Sequence, residues 1–170
     1  MNSKDNEMLD YLVKTLERLR LEYTTSPLKE EIDLEEALVF LEKAKALGKP
    51  SDVSLLEELE NGMKRLNRAT TSEENLKALE QIYRQYGVEV FMSKATLGFT
   101  EEQYNTFLIL IEDPEVIGLF RGFLKDTKVS LISDKMDSLM ELGLIKRVDS
   151  KTTLTESGLY VARAAGLVET

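Results

Sequence analysis

The chain contains no cysteine and no histidine. Without cysteine there is no disulfide framework and no thiolate nucleophile. Without histidine the commonest general base and the commonest metal ligand are both missing. Catalysis would have to rest on carboxylates, and no glycine-rich phosphate loop offers an alternative, since Gly48-Lys49 lacks the upstream glycine of a P-loop. We therefore expect no enzyme activity, no cofactor and no metal. No apolar run marks the N-terminus or is long enough to span a bilayer, so the expected compartment is the cytoplasm, with no membrane partner. Basic residues are also short: 22 Lys and Arg against 31 Asp and Glu give a net charge of −9 and a pI near 4.7. That balance opposes generic attraction to nucleic acid, so any nucleic-acid contact must be built locally.

What is present is a core. With 42% hydrophobic and 31% charged residues over 170 positions, the composition is that of a globular protein of one ordinary domain or two small ones. Apolar residues recur at helical spacing through residues 4–23, with Met8, Leu12, Leu16 and Leu19 on one stripe. Ser26 and Pro27 suit the cap and first position of a second helix, about 27–47, which Gly48-Lys49-Pro50 stops. A third helix is expected from about Asp52 to Arg68, with Ser54 and Glu57 as a capping box. Thr71 and Glu74 pair in the same way ahead of a fourth, which Gly87 would end. Carboxylates in residues 30–36 read as dipole compensation at a helix start, in preference to a metal site. No repeat period or low-complexity segment is evident.

Val88-Glu89-Val90-Phe91 reads as a strand or an extended linker, which puts the expected boundary between residues 1–87 and 88–170. Thr100 with Gln103, and then Asp113 before Pro114, cap two further helices. A third follows Ser130, with Ile132, Met136 and Leu139 on its apolar side and Gly143 as its left-handed stop. Residues 144–148 and 152–154 are β-prone runs joined by Asp149-Ser150-Lys151. Thr155 then caps a last helix that carries Leu159, Ala162 and Ala165 and ends at Gly166.

A helix closing on Leu139, Gly143, Leu144 and Ile145, a short hairpin, and Leu154-Thr155 with Gly158 opening another helix resemble the winged helix-turn-helix superfamily, most closely its MarR-like regulators. The resemblance covers about residues 98–165. It implies a mostly α protein, an N-terminal helical bundle plus a C-terminal winged helix-turn-helix with a small β-hairpin. It further implies a DNA-binding regulator of transcription.

Local charge bears on that implication. From Arg121 to Lys151 seven basic residues face five acidic ones, a net of +2 that leaves −11 on the rest of the chain. The residues expected to meet double-stranded DNA are Lys125, Lys128, Lys146, Arg147 and Lys151 on its backbone, with Leu131, Lys135 and Ser138 on the recognition helix. Asp134 on the same helix would repel phosphate. Two-fold symmetric sites favour a homodimer, expected through the wide apolar stripes of the first two helices. The alternative is an interaction adaptor whose winged helix docks a protein partner through that acidic helix face.

Overall fold

The computed structural model describes residues 3–25, 32–68, 71–125 and 134–167. These residues form eight α-helices and one two-stranded antiparallel sheet. The chain divides into two compact units, Met1–Val90 and Phe91–Thr170.

The first unit contains α1 (Ser3–Thr25), α2 (Glu35–Leu47), a 3-10 turn at Pro50–Asp52, α3 (Val53–Lys64) and most of α4 (Ser72–Thr96). α1 and α2 pack along their lengths. Leu12, Leu16 and Leu19 of α1 are fully buried, as are Ala37, Leu41 and Ala44 of α2. The alanines let the backbones approach while the leucines fill the space, each buried leucine contributing about 1.5–3 kcal/mol. Leu59, Met63 and Leu79 complete this core. The stripes that suggested self-association are thus consumed inside the unit.

α2 starts later than its sequence suggests. Residues 32–34 are non-helical, and long-range hydrogen bonds hold Ile32 and Asp33 ahead of the helix. Asn67 accepts from the Ile32 N–H at 3.0 Å and donates to the Ile32 carbonyl at 2.7 Å, while Glu22 accepts from the Asp33 N–H at 3.0 Å. Asp33 in turn accepts from the Glu35 N–H and starts the helix. The Ser26-Pro27 start lies outside the described residues. α3 likewise begins without the Ser54–Glu57 box: the Asp52 carboxylate accepts from the Lys49 N–H at 2.9 Å and shapes the preceding turn. It ends at Lys64, short of Arg68, and Asn67 sits in the left-handed region at φ 66°. Between α2 and α3, Lys45 bonds Glu60 at 2.9 Å, and this hydrogen bond is the main reason the Glu60 carboxyl falls to about 2.

Gly87 does not stop α4, and residues 88–91 are neither strand nor linker. The helix runs on to Thr96. An interior glycine costs about 1 kcal/mol, but Tyr83, Tyr86 and Val90 continue one buried stripe, so burial outweighs the local cost.

The second unit holds the end of α4, then α5 (Glu101–Ile111), α6 (Pro114–Leu124), α7 (Asp134–Glu141), β1 (Ile145–Val148), β2 (Lys151–Leu154) and α8 (Glu156–Ala164). Phe107, Val116, Leu119, Phe120, Leu139, Leu144, Ile145 and Val161 are its buried centre. Phe91 stacks on Tyr160 with ring centroids 6.0 Å apart. The Thr100–Gln103 box is closed in both directions, and Asp113 caps α6 through the Glu115 N–H at 2.9 Å.

One junction holds α7, the hairpin and α8 together. Gly143, at φ 74°, closes α7 with two reversed bonds, Gly143 N–H to Met140 O and Leu144 N–H to Leu139 O, both 3.0 Å. Thr155 then donates its N–H to Leu144 O at 3.0 Å and its hydroxyl to Gly143 O, while its oxygen accepts from the Gly158 N–H at 3.1 Å. At Gly158 a Cβ would collide with the Leu144 carbonyl oxygen, so only glycine lets α8 lie this close to the start of β1.

Candidate nucleic-acid interface

The hairpin is built around a two-residue turn. Val148 pairs with Lys151, and the intervening Asp149 and Ser150 both have positive φ, 51° and 67°. That is a type I′ turn, whose twist matches the strands it joins. Lys151 therefore belongs to β2 and not to the turn. Alternation puts Ile145, Arg147, Thr152 and Leu154 on one face and Lys146, Val148, Lys151 and Thr153 on the other. Ile145 is buried and anchors the hairpin; Lys146, Arg147, Val148 and Lys151 are exposed. All six residues from Lys146 to Lys151 thus face solvent, three of them the residues expected to be cationic contacts. Among the described residues neither Lys146 nor Arg147 has a carboxylate within ion-pair distance.

α7 differs. Leu139 is buried at 1% exposure, as its position on the apolar stripe requires, and Asp134, Asp137 and Glu141 are exposed. Lys135 bonds Asp113 and, at 2.7 Å, Glu115, both at the start of α6. The Asp113 hydrogen bond, then that of Glu115, raises the Lys135 ammonium above its ordinary value; the same Lys135 bond, then the Glu115 N–H, lowers the Asp113 carboxyl. Lys135 is therefore locally neutralised. Ser138 turns its hydroxyl back to the Asp134 carbonyl at 3.2 Å. Lys125 is exposed at the C-terminal cap of α6 and has no ion-pair partner among the described residues. Lys128 and Leu131 lie outside the described residues, as does the Ser130 cap.

The structure thus brings Lys146, Arg147 and Lys151 together on one hairpin and takes Lys135 into an ion pair. Sequence reading found the Asp113 cap but missed its second role, because the pairing spans 20 residues or more and no local pattern signals it. Among the described residues no group of three His, Cys, Asp or Glu side chains could hold a metal ion, and no helix is long and apolar enough to cross a membrane. No family model, curated protein or solved structure matches the chain.

Proposed function

We propose that the second unit is a winged-helix module of a transcription regulator, and that it holds double-stranded DNA through its hairpin more than through α7. The observation that carries this reading is the gathering of three exposed cations on one tight hairpin, Lys146 and Lys151 on one face and Arg147 on the other, in a chain of net charge −9. Such cations neutralise backbone phosphates without reading sequence. Lys125 adds a further exposed cation; Lys135 contributes little, since its charge is already spent on Asp113 and Glu115. A homodimer, which would double a weak grip, belongs to the same proposal, as does action in the cytoplasm.

The test is retention of duplex DNA by the full chain across a salt series. Binding should be measurable at about 50 mM salt and fall steeply above it, with a log–log slope of roughly −0.9 per phosphate contacted. No retention at low salt overturns the reading.

A second reading, a protein-docking adaptor, is favoured by the exposed Asp134, Asp137 and Glu141 on α7. Its partner would be a basic protein surface. It is distinguished by Asp134→Asn with Asp137→Asn, which should tighten DNA binding under the first reading and weaken partner capture under the second.

A further inference from the structure

α5 is apolar on two sides. Phe107 and Leu110 are buried and supply its packing within the second unit, so the apolar side chains on its outward face are surplus to that core. Among the described residues eight large apolar side chains are exposed, and three of them stand on this one helix: Tyr104 at 45%, Leu108 at 42% and Ile109 at 73%. Single exposed residues of this kind are ordinary on a protein surface, whereas a group gathered on one helix points to a contact. At about 100° per residue, Leu108 lies near the midline of the outward face, with Tyr104 to one side and Ile109 to the other. The Tyr104 ring leans toward Phe107, centroids 6.4 Å apart.

The charge around this face has one sign. Glu101 and Glu112 fall on the line of Leu108, seven residues before it and four after, and Glu102 is seven before Ile109. All three are exposed, and among the described residues none has an ion-pair partner. Between Lys94 and Arg121 the sequence has five acidic residues and no basic one; the other two, Asp113 and Glu115, are already held by Lys135.

We propose that this face docks a basic amphipathic helix of a partner protein, its apolar stripe across Tyr104, Leu108 and Ile109 and its lysines or arginines at the two ends on Glu101, Glu102 and Glu112. Tyr104 and Leu108, one turn apart, form a ridge beside which the side chains of another helix seat. Carboxylates repel phosphate, which leaves out DNA and an anionic lipid surface. The same charges oppose a second copy of this chain: a two-fold axis that pairs α5 with itself, parallel or antiparallel, brings carboxylate to carboxylate. The face is also one short helix, against about 20–30 residues a side in a stable dimer, which suits a single docked helix held transiently. The inference stands whether or not the hairpin holds DNA.

The probe is a synthetic amidated helix of about 14 residues, with leucines at i, i+3, i+4 and i+7 between paired lysines at each end, set against a twin with glutamates in place of the lysines. Each is titrated into the full-length chain, with amide chemical shifts and calorimetry as readouts. Saturable shifts are expected at Tyr104, Leu108 and Ile109, and the glutamate twin should bind about tenfold or more weakly, since its rim contacts turn from attraction to repulsion. Glu101→Lys with Glu112→Lys should reverse that preference, and Leu108→Ser with Ile109→Ser should abolish binding of both peptides. All four positions are exposed, and the charge-reversed variant decides on its own if the serine variant fails to fold. No saturable shifts, shifts centred on Asp134, Asp137 and Glu141 of α7, equal binding of the two peptides, or an unaltered preference after charge reversal would overturn the proposal. So would a sedimentation mass that falls from dimer to monomer in the serine variant, which would give the face to a second copy.

Discussion

α7 and the hairpin are joined only by residues 142–144 and share the Gly143 turn, yet they treat charge in opposite ways. α7 has one lysine among its described residues and spends it on Asp113 and Glu115, leaving Asp134, Asp137 and Glu141 outward. The hairpin puts Lys146 and Arg147 into solvent with no carboxylate in reach among the described residues. A cation's count in the sequence says little about the field it exports; what matters is whether the fold supplies a counter-charge. Near a phosphate backbone the hairpin offers attraction and α7 offers little or none.

The largest effects should come from breaking the junction both regions hang on. Leu139→Asp places an unpaired carboxylate at a site 1% exposed, a cost of several kcal/mol and comparable with the stability of a whole domain. Thermal unfolding should show the loss of the second unit's transition; an unchanged melting temperature would remove Leu139 from the core. Gly158→Ala forces a methyl into the Leu144 carbonyl and should cost about 2–3 kcal/mol by denaturant titration, far more than glycine to alanine in an ordinary helix, where the change stabilises.

Acid should separate local pairing from burial. Glu60 has its carboxyl lowered to about 2, chiefly by Lys45, so its contribution is complete above the ordinary value of 4.5 and is lost as pH falls toward 2. Asp113 is also lowered, chiefly by Lys135, so the difference in melting temperature between the wild type and Lys135→Ala should shrink as pH drops below its ordinary 3.8. A difference that grows on acidification would contradict the pairing. The smallest effect is expected at the turn tip. Ser150 pays for its positive φ, so Ser150→Gly should stabilise by about 1 kcal/mol in the same titration without altering the salt dependence of DNA binding.

A mostly helical chain with one small hairpin was legible in the sequence because its signals are short-range. Thr71 with Glu74, Thr100 with Gln103, Asp113 and Thr155 each bond a backbone N–H two or three residues away, and all four do so in the structure. Gly143 and Gly166 end their helices for an equally local reason. What was not legible depends on distant partners. α2 starts at Glu35 because Asn67, 35 residues on, bonds both the N–H and the carbonyl of Ile32. α4 reads through Gly87 because a buried stripe outweighs one residue's propensity. Of the candidate site, Lys146 and Arg147 could be placed on the first strand from the pattern, whereas Lys151, read as a turn residue, lies in β2, and the capture of Lys135 required knowing that the start of α6 lies beside α7.

The most direct measurement is the salt slope of duplex DNA binding for two variants side by side, Lys146→Ala with Arg147→Ala and Lys151→Ala, and Lys135→Ala alone. The hairpin variant should flatten the slope by about two to three units per protomer, while Lys135→Ala leaves it within about half a unit of the wild type. A slope that responds to Lys135 and not to the hairpin would contradict the assignment of the grip to Lys146, Arg147 and Lys151.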